Sequence, residues 1–160
     1  MADALSHLNP EWHFIGRVQT NKAKWIAAHA HMVHTITSPR HATSIAKHCS
    51  TPLKCLIQVN IGKEESKGGV LPSDTLALAH EISKVNNVQI CGLMSLPPRV
   101  DQPEQAAPYF EAMAELAYQG QKEGLPLTEL SMGMSHDFEI AIRYGATMVR
   151  IGRSIFGQRR

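Results

Sequence analysis

A chain of 160 residues can build one domain with a real core, and is too short for a complete eight-unit α/β barrel. Its hydrophobic fraction of 43% and charged fraction of 19% suit a soluble globular protein, and a formal charge of +2 points to neither nucleic acid nor an acidic membrane surface. No apolar run approaches about 18 residues and the N-terminus lacks a secretory pattern. Three widely spaced cysteines, Cys49, Cys55 and Cys91, read as reduced buried thiols, so the expected compartment is the cytoplasm.

Strand-like and helix-like runs alternate from end to end. His13 to Gly16 is a short apolar strand, followed by a helix around Asn21 to Ala30 and a second strand from Met32 to Thr37. Pro39 opens a helix through Lys47, as proline is tolerated in a first turn. Leu53 to Ile61, rich in branched residues, is the clearest strand, and the polar loop GKEESKGG follows it. Ser73 or Asp74 is placed to cap a helix, TLALAHEISKV, whose Leu76, Ala79 and Ile82 recur at helical spacing. Val88 to Leu96 is a fourth strand, stopped by Pro97 and Pro98. Glu104 to Lys122 reads as a long amphipathic helix, Leu130 to Met134 as a fifth strand, Asp137 to Tyr144 as a helix and Thr147 to Ile151 as a sixth strand.

Six strands alternating with helices imply a parallel sheet of right-handed βαβ units. Gln58 and Asn60 share one face of their strand; Ser131, Gly133 and Ser135 share one face of the fifth; Arg150 and Gly152 share one face of the sixth. Parallel strands covered on both sides read as apolar throughout. A polar face on three strands instead predicts a barrel wall whose lumen holds a polar ligand near the strand ends. Without repeats, low-complexity tracts or linkers, residues 1–160 read as one domain.

The pieces WHFIGRVQTNKAK (12–24), LIQVNIGKEESKGG (56–69), GLMSLPP (92–98), LSMGMSHDFEIAI (130–142) and VRIGRSIFG (149–157) resemble the pyridoxal phosphate (PLP) homeostasis protein family. The resemblance implies a PLP-binding TIM-type (β/α)8 barrel, the one also seen at the N-terminal side of alanine racemase. Of that barrel, about six of eight βα units are present. The matching strands are the third to eighth, so the expected domain is a partial barrel without the N-terminal strands, including the one that carries the Schiff-base lysine. If Met1 is the true start, the barrel is not expected to close from this sequence alone; three explanations stand for the missing part: an incorrect start or a cloned fragment, a truncated or decayed gene, or a functional short form that pairs with a partner.

The resemblance places the cofactor phosphate against Ser135 and the backbone N–H groups of Gly152 and Arg153, with Ser154 assisting, and Arg150 against the pyridine nitrogen. A fixed cation there disfavours protonation of that nitrogen. The implied role is a non-catalytic carrier or buffer of PLP for PLP-dependent apoenzymes. The rival readings are a racemase-like PLP enzyme and a remnant without ligand. From the residues alone, alternatives stay open. Arg150 reads first as a structural arginine paired with a carboxylate such as Glu139, Ser135 as a helix N-cap that could also touch phosphate, and Gly152 as relief of crowding at a strand end. Lys63 and Lys67 read as solvated loop charges, Lys67 matching a lysine the family has in addition to its Schiff-base lysine. His29, His31 and His34 do not converge as a metal site. Either His13 or Met94 could line the pocket, with ordinary packing as the alternative. Tyr109, Tyr118 and Tyr144 fall in helices, away from any catalytic role.

Overall fold

The computed structural model describes residues 7–157. Strands β1 (His13–Phe14), β2 (Met32–Ile36), β3 (Leu53–Val59), β4 (Val88–Ser95), β5 (Glu129–Met134) and β6 (Met148–Arg150) form one sheet in sequence order. Every pairing is parallel. The connections carry helices α1 (Ala23–His29), α2 (Pro39–Ala46), α3 (Pro72–Ile82), α4 (Ala107–Lys122) and α5 (Phe138–Arg143); a single turn, α6 (Arg153–Phe156), follows β6.

Local chemistry sets the helix starts. Ser38 caps α2 by accepting the His41 N–H at 3.3 Å, with Pro39 in the first turn. The expected cap of α3 at Ser73 or Asp74 is not formed. Pro72 opens that helix after Leu71, and Ser73 donates instead to the neighbouring Asp74 carboxylate. Its buried stripe is Thr75, Leu78, Ala79 and Ile82, with Leu76 at the margin. The long helix begins as a 3-10 turn over Pro103–Ala106 before continuing as α4.

The helices cover one face of the sheet. Ile26, Ile45, Ile82, Phe110 and Met113 are fully buried there against Ile36, Ile57, Leu93 and Met132. The other face carries a separate buried cluster of strand residues only: Met32, Leu56, Cys91 and Met94, flanked by Leu96 and Met148. Cys91 sits where the β3–β4 register shifts, between Ile90 and Gly92. At Gly92 an added Cβ would lie 1.9 Å from the Glu129 carbonyl oxygen, so only glycine lets β4 and β5 approach there.

The sheet is curled. Strands three apart in a flat sheet stand about 14 Å from each other, yet His34 on β2 is hydrogen-bonded to Ser131 on β5 at 2.9 Å. Two strands apart, Arg150 on β6 reaches the Ser95 carbonyl oxygen on β4 at 2.7 Å. The helix-free face is therefore concave, the inner wall of a partial barrel. Among the described residues β1 and β6 are each paired on one side only.

The concave face differs in two places from the polar face expected on the third, fifth and sixth strands. Gly133 leaves the strand alternation with φ +90, and a Cβ there would press on Ala141 and Phe138 of α5, on the helix side. Asn60 closes the loop after β3, donating to the carbonyls of Glu64 and Lys67 and accepting the Glu64 N–H. Gln58 likewise donates to the Gly68 carbonyl. The floor is an apolar, sulfur-rich cluster, and polar groups of β1, β2, β5 and β6 lie beside it.

Candidate functional site

The polar end is built by two strand-to-helix turns. After β5, the buried Asp137 carboxylate accepts the Met134 N–H at 2.7 Å and precedes α5 as its N-cap. That arrangement excludes Ser135 from the capping role it could have filled. Its hydroxyl oxygen instead accepts the backbone N–H groups of Gly152 at 3.3 Å and Ser154 at 3.4 Å, from the turn after β6. The Arg153 N–H lies between these two in the same turn. A Cβ built on Gly152 meets nothing within 4 Å, so the glycine relieves no crowding; it leaves an open cradle. Met134, Ser135, Arg150, Gly152, Arg153 and Phe156 line one solvent-open cavity here.

Arg150 forms no pair with Glu139. Its guanidinium donates to the Ser131 carbonyl and hydroxyl oxygens and to the Ser95 carbonyl, all at 2.7 Å. Among the described residues no carboxylate lies within ion-pair distance of it. Burial draws its pKa down to about 10 and the field of Asp137 opposes that, so it stays cationic at neutral pH. A partly buried cation tied to neutral oxygens keeps uncompensated positive charge for a ligand.

Sequence reasoning missed the groups behind Arg150. The Ser131 hydroxyl also meets the buried His34 ring at Nδ1, and His34 Nε2 meets His13 Nδ1 at 2.9 Å. His13 and His34 thus face the concave side. Their one sequence signal was the two-residue offset of His34 from Met32 on the same strand. Burial pushes His34 down to about 4, with His13 and Arg150 adding to the shift, so it is neutral at physiological pH. His29 and His31 go elsewhere: His29 pairs with the Trp25 carbonyl oxygen, and the His31 ring accepts the Trp12 N–H. Met94 lies in the apolar floor.

Lys67 is not the solvated charge expected. Its ammonium donates to the Pro97 carbonyl at 2.8 Å and pairs with Glu64, strapping the loop after β3 to the one after β4. A side chain committed to the Pro97 carbonyl and the Glu64 carboxylate is not free to attack a ligand. Among the described residues no lysine lines the cavity between Ser135 and Arg150. Tyr109 and Tyr144 pack against the helix-side core and Tyr118 is exposed on α4, so none reaches the concave face.

Comparison with known proteins agrees with this architecture. Residues 4–160 match the family profile of the alanine racemase N-terminal domain. A pyridoxal phosphate homeostasis protein of Aquifex aeolicus is 44% identical over 162 residues, covering 99% of this chain and 71% of that protein. One from Vibrio cholerae is also 44% identical, covering 93% of this chain and 64% of its own length. The chain therefore spans about two thirds of these relatives. PipY of Synechococcus elongatus, solved with PLP bound, superposes with a TM-score of 0.85 at 31% identity, over 98% of this chain and 75% of that one. An alanine racemase of Clostridium difficile shares the fold at a TM-score of 0.76 and 14% identity. Six parallel strands curled into part of a barrel, and these identities, place the chain in the alanine racemase N-terminal domain family and, within it, among the pyridoxal phosphate homeostasis proteins.

Proposed function

We propose that this chain binds pyridoxal 5'-phosphate reversibly where β5 and β6 end, and holds it without turning over a substrate. The convergence of the Gly152 and Ser154 N–H groups on Ser135 Oγ carries this reading. Ser135 Oγ marks the point at which a phosphate oxygen would receive the same donors, with the Ser135 hydroxyl then free to donate as well. Gly152 leaves the space such a group needs, and Arg153 brings a second cation to the same cavity. The residues present fit the phosphorylated cofactor.

When bound, PLP supplies an electron-withdrawing pyridine ring. Arg150, cationic on the same cavity wall, would meet its nitrogen, and a cation there would keep that nitrogen unprotonated and the ring a weak electron sink. Among the described residues the tyrosines lie away from the concave face, which supports holding over turnover. With no lysine in the cavity and Lys67 tied to Pro97, the holding proposed is non-covalent. The names of the homeostasis relatives and the PLP-bound PipY support the same cofactor. Storage for, and delivery to, PLP-dependent apoenzymes in the cytoplasm, by a single domain over residues 1–160, is the corresponding role.

Titration with PLP followed by absorbance, then borohydride reduction and intact mass, tests this. The expected result is a saturable spectral change with no stoichiometric adduct. No saturable change would sink the binding claim, and one adduct on one lysine would sink the non-covalent part.

A further inference from the structure

The concave face contains a hydrogen-bond chain that the proposed function does not use. It runs from His13 at the open edge of β1, through buried His34 on β2, to Ser131 on β5 and Arg150 on β6. Each link is a normal hydrogen bond of 2.7 to 2.9 Å. Its ends differ: His13 reaches solvent beside Glu11, and Arg150 faces the cavity.

The donors allow two directions. Arg150 always donates to the Ser131 hydroxyl. In one arrangement that hydroxyl donates to His34 Nδ1, and His34 Nε2–H donates to His13 Nδ1. Every buried donor then has an acceptor, which favours this direction while His13 is neutral. Protonated His13 carries a hydrogen on Nδ1 and must donate. His34 then accepts at Nε2, carries its hydrogen on Nδ1 and donates to Ser131. The Ser131 oxygen now accepts from both Arg150 and His34, and its own proton loses the acceptor it had in His34. No heavy atom moves far; one neutral proton changes nitrogen on His34.

We propose that His34 is a positioning residue for Arg150, acting through Ser131, and that protonation of exposed His13 reverses this chain and loosens the guanidinium. The link to PLP affinity rests on the proposed placement of Arg150 against the cofactor ring; the reversal itself does not. The groups that bear on the chain are few. Glu11, His31, His48 and Lys54 rim the opening around His13, Arg150 faces His34 through Ser131, and Asp137 acts on Arg150 from the β5–α5 turn. Desolvation holds His34 neutral well below the range in which exposed imidazoles protonate, so it passes the signal on without charging.

Long-range 1H–15N spectra of the imidazole rings in the ligand-free chain, from about pH 8 to about pH 5, test the reversal without any cofactor. The expected result is an Nε2–H tautomer of His34 that converts to Nδ1–H as His13 protonates. In His13→Gln, an exposed change, the conversion should vanish. A single His34 tautomer across the titration of His13, or Nδ1–H from the start, would overturn the relay. The second readout is PLP affinity of wild type relative to His13→Gln at each pH, which cancels the cofactor's own titration. That ratio should fall about threefold to tenfold on acidification, the worth of one weakened hydrogen bond. A flat ratio with a tautomer switch would remove the positioning role. If PLP does not bind at all, the proposed function fails, and the spectra alone decide the relay.

Discussion

The two faces of the sheet are built on different principles. The helix-covered face is a close-packed apolar layer in which Phe110, Ile57, Leu93 and Met132 touch partners on all sides. The concave face buries only four residues as a cluster, and its remaining contacts are hydrogen bonds among His13, His34, Ser131, Arg150 and Ser95. Apolar packing is non-directional and tolerates small shifts; a hydrogen-bond chain holds its members to tenths of an ångström and leaves charge available. Stability should therefore reside on one face and ligand chemistry on the other.

The largest expected effect breaks the helix side. Phe110→Ala removes a fully buried ring from α4 and should cost about 3–5 kcal/mol in denaturant unfolding. PLP affinity of the fraction that remains folded should be unchanged. A large affinity loss there would show that the two faces are not separable.

Next comes acid. His34 is neutral when folded, with a pKa near 4 against 6.5 for the ordinary ring, so the unfolded chain binds a proton that the native one refuses. Its contribution is fully present above about pH 6.5 and is lost as pH falls toward 4, a slope worth about 3 kcal/mol in all. His34→Gln should flatten that part of the stability–pH curve, measured by urea unfolding. An unchanged slope would mean that burial of His34 is not what acid attacks.

Arg150→Leu addresses the concave side directly. It removes three hydrogen bonds and the cation bonded to Ser131 and Ser95. Loss of a charged hydrogen bond to the ligand should weaken PLP binding by about 1.5–3 kcal/mol in a fluorescence titration, more than it lowers the melting temperature would suggest. Equal binding would place the ring nitrogen elsewhere. The smallest effect lies outside both faces: the exposed His80–Glu123 pair should contribute no more than about 0.5 kcal/mol, tested by Glu123→Gln.

The sequence made the architecture legible because strand and helix periods are local properties. Leu53 to Val59 and Val88 to Ser95 announce themselves by branched and apolar residues, and Pro39 and Pro97 mark boundaries on their own. The turns after β5 and β6 were legible for another reason: Ser135, Gly152 and Ser154 lie in short segments that the family resemblance picked out. The helix starts were less legible, since Pro72 outcompetes Ser73 for the first position of α3. What lay hidden was long-range. The His34–Ser131 contact spans 97 residues and exists only because the sheet curls, and nothing in either local segment announces it. Lys67 was misjudged similarly. Its partners at Leu96 and Pro97 lie about thirty residues away in the next crossover, so the loop alone reads as solvated.

The most direct test of the central claim is an amide 1H–15N titration of the chain with PLP and, in parallel, with unphosphorylated pyridoxal. The predicted result is saturable movement of the Gly152 and Ser154 amides with PLP and little with pyridoxal, since those N–H groups are the ones placed to receive the phosphate. Unmoved Gly152 and Ser154 amides at saturating PLP, or equal movement with both compounds, would contradict it.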